Sequence, residues 1–245
     1  MNQFDVNGKI ALVTGANRGI GKAFVESLLK RGASKVFACT RDESYFDELL
    51  AMDNEVVKPL LLDVTNTQHI QALQTEVPAL DLLINNAGIA NGCFPTAQNA
   101  VDIARLEMET NYFGPLSLTL ALLPALKQSK GAIVNISSIA GISCFPSLGP
   151  YSATKAALHS FTQGLRTELS AEGILVTGVY PGPIDTRMTE DFELEKAPTS
   201  QVAERTLEGI SRGEIEIYPD NFSEQMHGIF VNNPLDLENT FAEMH

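Results

Sequence analysis

The chain has 245 residues, 44% hydrophobic and 19% charged, with 17 basic against 30 acidic side chains and a formal net charge of −13. That balance argues against nucleic acid or an anionic membrane surface as partner, because both need a basic face, and any anionic small molecule must be met by a few local cations. Cysteines 39, 93 and 144 lack metal-ligand spacing, the first residues lack a charged n-region and apolar h-region, and no apolar run approaches the roughly 18 residues of a membrane span, so a reducing cytoplasm is the expected location.

Along the chain, short runs rich in Val, Ile and Leu alternate with longer amphipathic stretches. Residues 9–14 read as a buried strand, followed at once by Thr14-Gly15-Ala16-Asn17-Arg18-Gly19-Ile20-Gly21 and a helix over 20–31. Glycines at this spacing let the backbone turn sharply and approach a pyrophosphate at a helix N-terminus, where partial positive charge favours an anion. A second strand, 35–40, ends in Thr40-Arg41-Asp42. At this distance from the loop an acid would accept from a ribose 2′-hydroxyl, whereas a base suits a 2′-phosphate. Arg18 and Arg41 together favour NADP; Asp42 would oppose it if Asp42, and not Arg41, faced the ribose.

Further strands are expected at 56–62, 80–85, 132–137 and 175–180, with helices over 101–127 and 151–172. Repeated βαβ units with right-handed crossovers imply an α/β fold: one domain with a doubly wound parallel sheet of Rossmann type in three α/β/α layers. Residues 183–199 are acidic, lack core periodicity and suit a mobile lid over a pocket; 214–218 could be a last strand. The acidic tail, 221–245, reads as one or two short helices without chemistry.

Tyr151 and Lys155 stand four apart and so project from one face of a helix. A neighbouring ammonium favours the phenolate and would bring a tyrosine, ordinarily near pKa 10, into the range of acid–base work. Ser138, or its neighbour Ser137, ends a strand where it could hold a carbonyl oxygen beside Tyr151. Asn111 sits inside an expected helix, where asparagine is mildly unfavourable. His159, four past Lys155, is read as packing, and histidines 69, 159, 227 and 245 have no metal-like spacing.

Taken together, residues 9–186 resemble the short-chain dehydrogenase/reductase family. Thr14 to Gly21 is similar to its TGxxxGIG loop, Asn85-Asn86-Ala87-Gly88 to its NNAG motif, Asn111, Ser138, Tyr151 and Lys155 to its catalytic tetrad, and Pro181-Gly182 to the turn after its sixth strand. The resemblance implies that Ser138 is the working serine and that Asn111 holds a water leading to Lys155, which also binds the nicotinamide ribose. It further implies that Asp63 and Val64 touch the adenine, Asn86, Ala87 and Gly88 line the adenosine side, and Ile184 and Thr186 reach the carboxamide.

The expected activity is NADPH-dependent hydride transfer to a carbonyl, or its reverse on a secondary alcohol, by a carbonyl reductase of the ketoreductase type with no metal. Alternatives are an NAD-dependent alcohol dehydrogenase of the same family and a non-catalytic NADP-binding sensor or scaffold. Pocket walls are expected from 89–94, from 139–150 with Cys144, Phe145, Pro146 and Leu148, and from the lid, giving an apolar site for a hydrophobic ketone or alcohol, with Arg187 facing solvent. Residues 214–220 lack the glycine-rich ending of many tetrameric members, so a homodimer or monomer is expected before a homotetramer.

Overall fold

The computed structural model describes residues 3–244. Its sheet contains β1 (Ile10–Thr14), β2 (Lys35–Thr40), β3 (Val57–Leu61), β4 (Leu82–Asn85), β5 (Ala132–Ile136), β6 (Leu175–Val179) and β7 (Glu216–Ile217). All are parallel, in the order β3-β2-β1-β4-β5-β6-β7. The helices are α1 (Gly19–Lys30), α2 (Phe46–Leu50), α3 (Thr67–Glu76), α4 (Ala100–Met108), α5 (Gly114–Ser129), α6 (Gly149–Leu169), α7 (Thr199–Ser211), α8 (Asn221–Asn232) and α9 (Pro234–Glu243).

Two-residue alternation sorts the strand side chains into two cores. Ala11 and Val13 face a layer holding Phe24 and Leu28 of α1 and Val202, Leu207 and Ile210 of α7. Leu12 turns the other way, toward Leu73 of α3, Leu118, Leu122 and Leu126 of α5, and Leu165 and Leu169 of α6. With both faces covered, the strands have no polar side, and each fully buried leucine contributes roughly 2–3 kcal/mol. Strand order reverses between β1 and β4, so the loops at their C-terminal ends diverge and open a crevice.

Two elements differ from the sequence expectation. The helix expected over 101–127 is broken by a π-helical turn, Glu109–Phe113. Pro115 has no N–H to give to the carbonyl of Asn111, so the α-helical ladder cannot run through this point. The segment 183–199 is anchored rather than wholly mobile: Ile184 is buried in the core and bridges Ala197, and Asp185 N donates to Ala197 O at 2.9 Å. The tail forms two short helices, α8 and α9, in line with the expectation, and both are packed. Met226, Leu237 and Phe241 form a third apolar cluster with Ile139, directly behind Ser138, and Asp220 and Ser223 cap α8 reciprocally.

Gly21 shows how tightly the first crossover is built: a Cβ there would lie 2.1 Å from the Gly15 carbonyl oxygen. Gly21→Ala should therefore destabilise the protein by about 1–3 kcal/mol through backbone displacement, despite the helix propensity gained. Gly164 in α6 has nothing within 4 Å of the same atom, so Gly164→Ala should stabilise it by about 0.5–1 kcal/mol. Urea denaturation of both variants checks the opposite signs.

Candidate active site

A cavity of about 990 Å³ occupies the crevice above the C-terminal ends of the strands. Its floor begins at the glycine loop, where Gly15 (φ 64°) and Gly19 (φ 55°) take left-handed conformations that turn β1 into α1. The end of β4 is laced to this loop: Asn86 N and Ala87 N each donate to Thr14 Oγ1 at 2.9 Å, and Asn86 Nδ2 donates to Thr14 O at 2.8 Å. The N-terminus of α1 has no side-chain cap, and Gly19 and Ile20 of its first turn border the cavity, where helix N–H groups favour an anion.

Gly15, Asn17, Arg18, Gly19, Ile20, Arg41, Asp63, Val64, Asn86, Ala87, Gly88, Pro181, Gly182, Ile184 and Thr186 all line this one cavity, together with Ser138, Tyr151 and Lys155. Gly21 is not on its wall; it lies behind the loop, against Gly15 and Asn86. The alternative posed by Arg41 and Asp42 has a local answer. Asp42 Oδ1 accepts from Ser44 N at 2.9 Å and caps the turn Glu43–Tyr45, while Arg41 lines the cavity. Burial opposes ionisation of Asp63, yet the N–H and hydroxyl of Thr65 and the nearby Arg41 and His69 hold its carboxyl below the usual range.

On α6, Tyr151 shares the cavity wall with Ser138, whose hydroxyl donates to Pro181 O at 3.4 Å and accepts from Ala140 N at 3.1 Å. Ser137 and Ser138 both border the cavity, but the Ser137 hydroxyl is buried and donates to Lys155 O at 3.0 Å, which favours the less buried Ser138 as the serine open to a substrate. Lys155 Nζ donates to Ile136 O at 2.8 Å and lies 5.5 Å from the Tyr151 ring centroid. Here the expected electrostatics change. Burial pushes the phenol up to about 12; the Ser138 hydroxyl pulls against this, and the buried Glu107 carboxylate adds to the rise. Burial also lowers Lys155 to about 8. The protein alone therefore keeps Tyr151 protonated across the neutral range instead of driving it to phenolate.

Asn111 is buried in the π turn and does not reach the wall. Its Oδ1 accepts from Ile89 N, and its Nδ2 donates to Ile89 O and Thr154 Oγ1, at 2.9, 2.9 and 3.0 Å. The side chain thus ties the loop after β4 to α6. His159 is equally remote, with Nδ1 2.7 Å from the Tyr180 hydroxyl.

The wall bearing Tyr151 continues through Ile89, Asn91, Leu106, Phe145, Leu148, Met188, Phe192, Leu194 and Phe222. Cys144 and Pro146 are not part of it, whereas Arg187, exposed as expected, also borders the cavity. Sequence reasoning missed Leu106 and Thr110, although they lie five and one residues before Asn111. It also missed Phe222, which the Asp220 to Ser223 cap signature and the apolar spacing of 222, 226 and 230 could have indicated. Among the described residues, no group of histidines, cysteines and acids could hold a metal, and no helix is long and apolar enough to cross a membrane.

A family model described as short chain dehydrogenase matches residues 9–197. An uncharacterized oxidoreductase of Staphylococcus saprophyticus is 36% identical over 198 residues, 77% of this chain and 84% of the relative. Among solved structures, a short-chain dehydrogenase of Burkholderia cenocepacia in complex with NADP superposes with a TM-score of 0.91 at 33% identity, covering 97% of this chain and 99% of that one. Another, from Streptomyces avermitilis, gives 0.84 at 26% identity, covering 97% and 98%.

The lowered pKa of Lys155 has a signed consequence for stability. An unfolded lysine titrates at 10.5 and this one at about 8, so between these values the unfolded chain binds more protons and the folded state gains stability as pH rises. In Lys155→Met that increment disappears. Relative to the variant, the parent protein should be less stable at pH 7 than at pH 9.5 by up to a few kcal/mol, at about 1.4 kcal/mol per unit, as read from paired urea midpoints.

Proposed function

The chain belongs to the short-chain dehydrogenase family, an oxidoreductase family, and from that premise we propose that it is an NADPH-dependent reductase of ketones or aldehydes. One observation carries the reading: Tyr151, Lys155 and Ser138 line the wall of the same cavity that holds the glycine loop and both arginines. The cradle fits a dinucleotide. Left-handed glycines at 15 and 19 turn the backbone of the loop at the cavity, and a Cβ on Gly88 would press on Asn111 Oδ1 at 3.2 Å.

In this reading Gly15 to Ile20 hold the pyrophosphate on the N-terminus of α1, and Arg18 and Arg41 take the 2′-phosphate as two converging guanidiniums. Asp63 and Val64 meet the adenine, Asn86 to Gly88 the adenosine side, and Pro181, Gly182, Ile184 and Thr186 the nicotinamide end. When bound, the nicotinamide supplies the hydride. Ser138 orients the substrate carbonyl, and Tyr151 donates its proton to the oxygen as negative charge develops there. A phenol that burial holds protonated up to about pH 12 is suited to donation, and so to reduction. Lys155 binds the ribose hydroxyls beside the phenol, and Asn111 acts by holding Ile89 and Thr154 in place. The bound NADP of the Burkholderia cenocepacia relative supports the choice of cofactor, as does the withdrawal of Asp42 onto Ser44.

Initial rates with NADPH and NADH on a panel of aryl and alkyl ketones test the proposal. NADPH should be preferred. Arg41→Asp should lower kcat/KM for NADPH by about 10- to 100-fold, the loss of a charge-assisted contact of some 1.5–3 kcal/mol, and improve use of NADH. A parent enzyme that prefers NADH, or an Arg41→Asp variant with unchanged preference, would contradict the assignment.

A further inference from the structure

Glu107 of α4 is a carboxylate with 1% exposure that the tetrad does not use. Its Oε1 accepts from Asn91 N at 2.6 Å and from Asn91 Nδ2 at 3.2 Å. Its Oε2 is buried without a hydrogen-bond partner. Burying a carboxylate satisfied on one oxygen only is costly, and such a group in a folded protein calls for a reason. The pairing with Asn91 supplies one.

A carboxylate only accepts, so it fixes the Asn91 amide with Nδ2 toward Glu107 and leaves Oδ1 facing away from it. Asn91 borders the cavity that Tyr151 lines. Its stretch of chain is pinned at every second residue: Ile89 by Asn111, Asn91 by Glu107, and Cys93 through the donation of Gly149 N to Cys93 O at 2.9 Å. The neighbouring wall is apolar, with Ile89, Leu106, Phe145, Leu148 and Phe222. The hydroxyls of Thr110 and Thr189 are committed to the backbone carbonyls of Leu106 and Ile184. With its Nδ2 held by Glu107 and its side chain exposed at the cavity border, Asn91 offers its amide oxygen as an acceptor on an otherwise mainly apolar wall.

We propose that Glu107 is a positioning residue that presents Asn91 Oδ1 to the substrate, making the enzyme selective for ketones that carry a hydroxyl or N–H donor besides the reacting carbonyl. The inference rests on the reductase reading above and adds the substrate class. Asn91 is exposed to solvent, so a substrate that covers it without supplying a donor strips its acceptor of water unpaired, at about 1–3 kcal/mol.

The test compares acetophenone with its 2-, 3- and 4-hydroxy ring derivatives and with α-hydroxyacetophenone. It measures kcat/KM with NADPH and calorimetric binding to the unreactive complex with NADP⁺. The parent should favour at least one hydroxylated ketone by about 10- to 100-fold, mainly through KM, with the same order in binding. Asn91→Ala and Glu107→Ala should bring that ratio to within about twofold of one, whereas Glu107→Gln, which keeps an acceptor for Asn91, should retain most of it. A merely structural defect would lower all these ketones together and leave the ratio unchanged. Equal treatment of the hydroxylated and plain ketones by the parent, or a ratio that survives Asn91→Ala, would overturn the proposal. A parent that reduces none of them would instead overturn the reductase reading beneath it.

Discussion

The structure turns on placing a phenol and an ammonium together out of water on one face of α6. Charged lysine is costly to bury, and the Lys155 ammonium donates to the carbonyl of Ile136 at the end of β5. Lys155 is held at the edge of neutrality and Tyr151 firmly in its protonated form, both by burial. Several surrounding features keep this arrangement dry and fixed. The loop after Ser138 lies directly on the helix, since a Cβ on Gly141 would come within 2.7 Å of the backbone of Lys155. The π turn brings Asn111 to bear on Thr154, and the tail packs behind Ile139.

From this constraint follows a division of labour between the two halves of the cavity. The half built on β1, β2 and β4 is lined by the glycine loop, Arg18, Arg41, Asp63 and Asn86 to Gly88, and in the function proposed above it is the half that holds the dinucleotide. Side chains from α4, α6, the segment after Pro181 and α8 form the other half, which is mainly apolar. Variation in that second half would change the substrate without disturbing the first, in keeping with the rule that function is grafted onto a fold.

Much of this was legible in the sequence. Buried parallel strands read as continuous Val, Ile and Leu runs, so the expected 35–40 coincides with β2, and 132–137 and 175–180 overshoot β5 and β6 by one residue each. The glycine loop and the spacing of Ser138, Tyr151 and Lys155 were legible because they are local. What escaped depends on partners distant in sequence. The π turn follows from Pro115 removing a donor to Asn111, a signal present in the chain but masked by unbroken apolar spacing. The placement of Phe222 depends on how the tail folds back, and the phenol's high pKa on a burial that a four-residue spacing cannot express. Glu107 has no signature of its own in the sequence, because its place depends on the two hydrogen bonds that one of its oxygens accepts from Asn91.

The most direct test of the central claim, that Tyr151 is the proton donor to a carbonyl reduced in this cavity, is single-turnover reduction of a ketone by Tyr151→Phe with NADPH deuterated at C4. The account predicts that the variant is folded and still binds NADPH, yet transfers deuterium to the carbinol carbon about 10²- to 10⁴-fold more slowly than the parent. Transfer at the parental rate without the phenolic hydroxyl would contradict it.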